Sequence, residues 1–98
     1  MEIKLEKDLD KLVVALSGRL DTTTAPQLEE KFKSELSDVK ELVIDLKDLE
    51  YISSAGLRVL LLGQKTMNKQ GKMTVINANE SIMEIFDVTG FSDILNIE

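Results

Sequence analysis

Two adjacent serines, Ser53 and Ser54, are the residues best placed to carry chemistry. They lie in the stretch "YISSAGLRVLLLG" (residues 51–63), between an apolar pair and a leucine-rich run, and are followed by Ala55 and Gly56. Serine is a favoured N-cap because its side-chain oxygen accepts a hydrogen bond from a backbone N–H of the first helical turn. One serine is enough for that role. The pattern therefore leaves two interpretations open: a plain helix cap, or a hydroxyl that another protein modifies.

Phosphorylation is a modification that a helix start would tolerate. The N-terminus of a helix presents unpaired N–H groups and a partial positive charge, which stabilise an anion by about 0.3 to 1 kcal/mol. A phosphate adds a charge of about −1.5 to −2 and is costly to bury in an interface. Weakening the affinity for a partner by a factor of about 10² to 10³ needs only about 3 to 4 kcal/mol. A phosphorylated chain could therefore keep its fold and lose its partner.

The composition removes most kinds of catalytic site. The chain of 98 residues contains no Cys and no His, which removes thiol nucleophiles, thiolate metal sites and the commonest general base. Its 18 acidic residues are scattered. A carboxylate pair or a carboxylate-bound Mg²⁺ stays open, but no set of nucleophile, base and orienting residue can be assembled. We therefore predict that the chain is not an enzyme and uses no cofactor or metal.

Charge and length restrict the partners and the compartment. With 43% hydrophobic and 31% charged residues, the chain is predicted to fold as one domain, residues 1–98. A net charge of −6 without clustered Lys or Arg argues against binding to nucleic acid or to an acidic membrane surface. No apolar run is long enough for membrane insertion, and "MEIKLEKDLD" lacks the pattern of a signal peptide. We therefore expect a cytoplasmic protein.

The first third of the chain predicts a hairpin followed by a helix. Residues 3–7 alternate apolar and charged side chains, and a second apolar stretch begins at Lys11, as in two antiparallel strands. Thr24 is the predicted N-cap of the helix, with Pro26 in the first turn and Gln27 as the capping-box partner. The helix has an apolar stripe formed by Leu28, Phe32 and Leu36.

The middle of the chain predicts a buried strand and then the helix that starts at the serines. "ELVIDLKDL" (residues 41–49) is nearly continuous apolar sequence, interrupted by Asp45, which we interpret as a structural residue with a hydrogen-bonding partner. The segment "KDLEY" is interpreted as a connection. The helix is predicted over residues 54–70, with Gly71 as its left-handed C-cap. Its apolar face is expected to comprise Leu57, Val59, Leu60, Leu61, Leu62 and Met67.

The last third predicts a strand, "KMTVINA", and a third helix, "ESIMEIFDVT", capped by Asn77 or Asn79 and closed by Gly90. "FSDILNIE" is expected to form a short strand or an extended tail. This order of elements predicts an α/β domain with a mixed sheet of four to five strands and three main helices, in which the later strands are parallel. Sites in such sheets gather at the C-terminal ends of the strands, where the two serines fall.

Three stretches that together span nearly the whole chain are "GRLDTTTAPQLEE", "LVIDLKDLEYISSAGLRVLL" and "NESIMEIFDVTGFSDIL". Through these stretches the chain resembles the STAS family, specifically the small bacterial anti-sigma factor antagonists. The resemblance implies a protein that binds an anti-sigma factor, itself a serine kinase, and so frees a sigma factor. It further implies that the kinase phosphorylates the antagonist and that a PP2C-type phosphatase removes the phosphate.

The resemblance implies specific roles for residues near the serines. Ser54 is the implied phosphate acceptor, because it directly precedes the small residue Ala55 and Gly56 at the head of the helix. Ser53 is the second choice: many antagonists carry Asp at this position, whereas this chain has a second hydroxyl there. The implied partner-binding residues are Asp21, Thr22, Thr23, Ser53, Ala55, Gly56 and Arg58. Many relatives also continue beyond the position of "NIE" into a further helix, so one flank of the sheet is expected to be bare or filled by a partner.

Two alternative functions stay open at this point. Similar STAS domains serve as constitutive scaffolds or subunits in signalling assemblies and beside membrane transporters, without a phosphorylation cycle. A small-ligand or nucleotide sensor is the other alternative, because a helix start can hold an anion. The second has little support, since the chain contains no glycine-rich phosphate loop.

Overall fold

The chain begins with the predicted hairpin. In the computed structural model, which describes residues 1–98, β1 (Glu2–Asp8) pairs antiparallel with β2 (Lys11–Leu20). The alternation of β1 is explained by its register, because Ile3 lies opposite Leu16 and Leu5 lies opposite Val14. Leu16 and Val14 are buried, and Ile3 and Leu5 pack against them as part of the core.

The remaining elements alternate helix and strand. They are α1 (Ala25–Glu35), β3 (Glu41–Ile52), α2 (Ser54–Gln70), β4 (Lys72–Ile76), α3 (Glu80–Thr89) and a 3₁₀ turn (Phe91–Asp93). The sheet has four strands in the order β1-β2-β3-β4, and β2, β3 and β4 run parallel. The predicted α/β fold with a mixed sheet and three helices is confirmed. None of the helices is both long enough and apolar enough to cross a membrane.

One continuous core joins the sheet to the helices. Leu12, Val14 and Leu16 of β2 are buried together with Leu42, Ile44 and Leu46 of β3. α2 packs on β3 and β4, α3 packs on β3, and α1 packs on α2. The predicted stripe of α1 is confirmed, because Leu28, Phe32 and Leu36 are all buried.

β3 is longer than the sequence pattern indicates. The segment "KDLEY", predicted to be a connection, belongs to the strand, which continues to Ile52. β3 has 12 residues and β2 has 10, and the two register shifts, at Ala15/Ser17 and Gly18/Arg19, absorb the difference. The exposed residues Lys47, Asp48 and Glu50 weakened the strand pattern, although the backbone pairs regardless. The serines consequently follow the strand directly.

Gly71 does not form the predicted left-handed cap. Its φ of 179° is extended backbone, and the glycine is required for a different reason. A Cβ at this position would lie 1.9 Å from the carbonyl oxygen of Lys40. That carbonyl accepts a hydrogen bond from the N–H of Lys72 at 3.0 Å, so Gly71 allows β4 to enter the sheet beside the start of β3. Gly90, by contrast, closes α3 as predicted, and its φ of 82° is left-handed.

The two candidate caps of α3 have separate roles. Asn79 is the N-cap, since its Oδ1 accepts a hydrogen bond from the N–H of Ile82 at 2.9 Å. Asn77 has a positive φ of 62°, and its Nδ2 donates to Oδ1 of Asp45 at 3.0 Å. Asp45 also accepts from the N–H of Lys47 at 3.0 Å. The interpretation of Asp45 as a structural residue with hydrogen-bonding partners is confirmed.

The segment "FSDILNIE", expected to form a short strand or an extended tail, adds no fifth strand and is not extended throughout: Phe91–Asp93 form the 3₁₀ turn, and only the end of the segment lies along β4. Ile97 forms a single parallel bridge with Val75. The N–H of Val75 donates to the carbonyl of Asn96 at 2.8 Å, and the N–H of Glu98 donates to the carbonyl of Val75 at 2.9 Å. These bonds satisfy backbone groups on the outer edge of β4.

Candidate functional site at the start of the second helix

The structure gives the two serines different environments. Ser53 is the N-cap of α2: its backbone is extended, and its Oγ accepts a hydrogen bond from the N–H of Gly56 at 3.4 Å. Ser53 is half-buried. Ser54 is the first residue of α2, is exposed, and makes no side-chain hydrogen bond. The capping role therefore belongs to Ser53, and the hydroxyl of Ser54 faces solvent without a partner in the chain.

Gly56 fixes how closely α2 approaches the ends of β2 and β3. A Cβ on Gly56 would lie 2.7 Å from Cγ of Leu20, and 2.9 Å from both Cγ1 of Ile52 and the carbonyl oxygen of Leu20. The same carbonyl of Leu20 accepts a hydrogen bond from the N–H of Ser53 at 2.9 Å. Any side chain at position 56 would push the helix start away from the sheet. The glycine is thus a packing requirement of the site.

A turn built on Asp21 lies beside this helix start. Oδ1 of Asp21 accepts hydrogen bonds from the N–H of Thr23 at 3.0 Å, from Oγ1 of Thr23 at 2.8 Å and from the N–H of Thr24 at 3.2 Å. Asp21 follows Leu20 directly, and the Leu20 carbonyl binds Ser53. The turn and the helix start are therefore joined by the backbone.

The predicted capping box of α1 is wrong. Thr24 occupies the N-cap position, but it has helical φ and ψ and makes no side-chain cap bond to the helix. Its Oγ1 instead accepts from the N–H of Asp21 at 2.8 Å and donates to the carbonyl of Arg19 at 2.8 Å. Gln27 makes no capping bond. Asp21 takes over the N–H groups that precede α1, because its short carboxylate can close this turn on its own backbone.

Asp21 carries a well-stabilised negative charge. The hydrogen bond from the side chain of Thr23 is the main cause that lowers the pKa of Asp21 below its ordinary value of 3.8. Desolvation works in the opposite direction, and the backbone N–H groups of Thr23 and Thr24 add to the lowering. Nε of Arg19 lies 3.9 Å from Oδ2 of Asp21. The carboxylate is therefore ionised at neutral pH.

Arg19 and Tyr51 form a surface pair that sequence reasoning missed. The parallel pairing of β2 with β3 sets Arg19 opposite Tyr51, and the guanidinium carbon lies 4.4 Å from the centroid of the Tyr51 ring. Tyr51 is 37% exposed. No sequence signal joins these residues, because their contact depends on two register shifts between the strands.

A groove between α1 and α2 extends from the site. It has a volume of about 360 Å³, and its lining includes Thr22, Ala55 and Arg58, three of the predicted site residues. Thr22 and Arg58 are exposed and Ala55 is half-buried. Thr23 is exposed and bonded to Asp21, outside the groove lining. The predicted site residues thus gather at one edge of the sheet, in two clusters that meet at Leu20 and Ser53.

The apolar face of α2 is narrower than predicted. Leu57, Val59, Leu60 and Met67 are buried. Leu61 is only half-buried and Leu62 is 39% exposed, and both line the groove. Because α2 packs on the sheet through only one of its faces, the side chains next to that face stay in contact with solvent.

The arrangement offers a hydroxyl to be modified and a surface to be bound. The exposed Oγ of Ser54 lies at a helix N-terminus, whose free N–H groups favour an added anion. The chain has no group of three or more His, Cys, Asp or Glu residues that could hold a metal ion.

Comparison with known proteins agrees with the fold and with the predicted resemblance. The family model for the STAS domain matches residues 2–98. The chain is 33% identical to the anti-sigma-B factor antagonist of Listeria monocytogenes, over 100% of this chain and 87% of that protein. It is 32% identical to the anti-sigma-B factor antagonist of Bacillus subtilis, over 99% of this chain and 90% of that protein.

A solved structure supports the same assignment. The crystal structure of an anti-sigma factor antagonist from Mycobacterium paratuberculosis matches with a TM-score of 0.88 and 27% identity, over 98% of this chain and 83% of that one. These relatives are named for antagonism of anti-sigma factors and not for a catalysed reaction, which agrees with the prediction that the chain is not an enzyme. The chain belongs to the STAS domain family.

Proposed function

We propose that this protein is a cytoplasmic anti-sigma factor antagonist controlled by reversible phosphorylation of Ser54. It binds an anti-sigma factor that is also a serine kinase, and a sigma factor is thereby released. The observation that carries the proposal is the contrast between the two serines. Ser53 caps α2 and is half-buried, whereas Ser54 is exposed and its hydroxyl makes no hydrogen bond. The acceptor can be modified without removing the cap.

The physical basis of the switch is a difference between folding and binding. A phosphate on Ser54 would lie at the N-terminus of a 17-residue helix, where the helix dipole stabilises it. The same phosphate in a protein interface would have to be desolvated, and it would be placed near the ionised Asp21. Phosphorylation would therefore leave the fold intact and weaken the complex.

In this scheme the chain is a substrate and a ligand. The nucleotide and Mg²⁺ belong to the kinase, as phosphoryl transfer requires, and a PP2C-type phosphatase restores the unmodified chain. The proposed contact surface comprises Asp21, Thr22, Thr23, Ser53, Ala55, Gly56 and Arg58. Their positions on the turn and on the first turns of α2 support this assignment.

The test is a calorimetric titration of the anti-sigma factor/serine kinase from the same cells with variants of this chain. Ser54→Ala should bind like the unmodified protein. Ser54→Asp should bind at least about tenfold more weakly, and the phosphorylated protein about 10² to 10³ times more weakly. Ser34→Asp, at an exposed serine of α1, is the matched control and should bind normally. Equal affinities for Ser54→Asp and Ser54→Ala would refute the switch and favour a constitutive STAS scaffold.

A further inference from the structure

The groove between α1 and α2 begins beside Ser54, the proposed acceptor, and runs along both helices. α1 follows β2 and α2 follows β3, and these strands are parallel, so both helices begin at the same edge of the sheet. Thr22 and Ala55 line the groove near those helix starts, and Glu29 and Lys65 line it further along the helices. The groove is therefore continuous with the proposed contact surface around Ser54.

The groove has an apolar floor and an unburied apolar wall. Ala25 and Val59, at 3% and 4% exposure, form part of the floor. Leu62 lies in the lining with 39% exposure, although the α2 pattern predicted it to be core. The small side chain of Ala25 leaves room above the floor. Burying the exposed part of Leu62 against an aliphatic side chain of a partner would be favourable.

The rim of the groove on α2 is cationic. Arg58 and Lys65 are both exposed groove residues, and they lie seven residues apart, two helical turns or about 10 Å along α2. Neither side chain forms an ion pair; the two ion pairs of the chain are Arg19 with Asp21 and Lys33 with Glu29. Glu29, on the opposite wall, is thus already paired within α1. The rim contrasts with the net charge of −6 of the whole chain.

The size of the molecule also argues that a partner contacts more than the helix start. A stable complex buries about 800 Å² on each partner, which is about a seventh of the 5610 Å² surface of this chain. Ser53 and Ala55 are half-buried and Gly56 is buried, so these three neighbours of Ser54 add little exposed area to the contact surface. The adjoining groove supplies further area in the same direction.

We infer that the groove between α1 and α2 receives an amphipathic, acidic helix of the anti-sigma factor. An aliphatic side chain of that helix contacts Leu62 above the floor, and two carboxylates about two turns apart pair with Arg58 and Lys65. The inference rests on the proposed function and deepens it. It names Leu62 and Lys65 as partner-binding residues, and it places the specificity for the partner in the groove and the phosphate control at Ser54.

The test measures the dissociation constant for the anti-sigma factor/serine kinase with two groove variants of this chain. Lys65→Glu and Leu62→Gln should each weaken binding roughly tenfold, as loss of one central contact does. Lys65→Glu should also flatten the salt dependence of the affinity, because a charge pair is removed. Lys69→Glu, an exposed α2 lysine outside the groove, is the matched control and should stay within about twofold of the unmodified protein.

Ser54→Asp in the same series separates the two proposals. If Ser54→Asp weakens binding while both groove variants bind normally, the groove inference is wrong and the proposed function stands. If all three variants bind normally, the proposed function fails. If sedimentation shows that the free chain is a dimer and that Leu62→Gln makes it monomeric, the groove is an interface between copies and the inference is overturned. Lys65 is exposed, so its variant tests the groove even if Leu62→Gln is unstable.

Discussion

At the scale of single residues, Ser53 and Ser54 differ in conformation because β3 ends directly before them and α2 begins between them. β3 ends at Ile52, Ser53 keeps extended backbone, and Ser54 is the first helical residue. An N-cap side chain turns back towards the N–H groups of the first turn, whereas a residue at the first helical position points outwards. The hydroxyl of Ser53 is therefore engaged with Gly56, and that of Ser54 is available.

This difference predicts unequal costs for two alanine substitutions. Ser53→Ala removes the cap bond to Gly56, whose length of 3.4 Å favours the low end of the usual range, and should lower the free energy of unfolding by about 0.5 to 1 kcal/mol. Ser54→Ala removes no hydrogen bond and should change stability by less than about 0.5 kcal/mol. Urea unfolding of both variants measures this. A larger loss for Ser54→Ala would contradict the assignment of the cap.

The other decisive residue is Asp21, whose carboxylate organises the turn next to the proposed acceptor, Ser54. The bonds from Thr23 and Thr24 favour its charged form and lower its pKa below 3.8. The pKa of Asp21 is lower in the folded chain than in the unfolded chain. The charged carboxylate therefore stabilises the fold at pH values above the unfolded pKa. This stabilisation is lost as the pH falls through the folded pKa.

The variant Asp21→Asn tests whether the charge of Asp21 makes the fold more stable at neutral pH than at low pH. The amide oxygen can still accept the bonds from Thr23 and Thr24, but it carries no charge. The unmodified protein should be more stable than the variant at neutral pH, and the gap should close as the pH is lowered below 3.8. Urea unfolding across that range, with both proteins side by side, is the measurement. A gap that does not depend on pH would show that the charge of Asp21 is not what stabilises the turn.

At the scale of elements, the position of α2 is set by close contact between its first turn and the ends of β2 and β3. A Cβ on Gly56 would lie within 2.9 Å of Leu20 and Ile52, so this position has no room for a side chain. Ser53 adds a backbone bond to Leu20. Ser54, the proposed acceptor, consequently lies on a helix start that packs tightly against the sheet.

Gly56→Ala should therefore destabilise the protein, although alanine is intrinsically favoured over glycine in a helix by about 1 kcal/mol. The added methyl group meets three atoms within 2.9 Å, and such overpacking costs about 1 to 3 kcal/mol. Thermal or urea unfolding would measure the loss, with Ser54→Ala as the control for a change in the same turn. A Gly56→Ala variant as stable as the parent protein would mean that α2 can shift freely on the sheet.

The start of α3 depends on a single side chain that joins two elements. Asn79 caps α3 through Ile82, and its Nδ2 donates to the carbonyl of Leu49 in β3 at 3.0 Å. Asn79→Ala removes both bonds and should cost about 2 kcal/mol, whereas Asn79→Ser keeps a cap and should cost about 1 kcal/mol. Denaturant unfolding of the two variants compares them. Equal losses would show that the bond to Leu49 contributes nothing.

At the scale of the whole molecule, the order of the strands collects the site at one edge. Because β2 and β3 are neighbours and parallel, the turn after one and the helix start after the other lie side by side. Asp21, the groove and Ser54 therefore lie on the same side of the molecule, where our proposal places the partner. A phosphate at this edge would add to a chain that already carries a net charge of −6, so it would oppose an acidic partner both locally and at longer range.

Much of this architecture could be predicted from the sequence, because its signals are local. The bounds of α2 and α3 followed from apolar spacing and from capping residues. The length of β3 did not, since its last residues are polar on their exposed side and are held in the strand by pairing with β2. Gly71 was misjudged for a similar reason: its requirement comes from Lys40, which is distant in sequence.

The site was predictable at the level of its segments but not of its contacts. Ser53 and Ser54 stood out by type and position, yet only the structure separates the cap from the free hydroxyl. Thr24 matched a capping box, but its Oγ1 is occupied by the N–H of Asp21, and Oδ1 of Asp21 accepts from the N–H of Thr24, the group that Gln27 would have bonded. The pair of Arg19 with Tyr51 and the exposure of Leu62 depend on how elements pack, which no local pattern encodes.

The most direct measurement of the central claim is a phosphate map of this protein purified from its own cells in several growth states. Intact mass followed by fragmentation locates any phosphate to a residue. Our account predicts one phosphate on Ser54 in some states and none in others, with Ser53 unmodified throughout because its oxygen is the helix cap. A chain without phosphate in every state, or with its phosphate on Ser53, would contradict it.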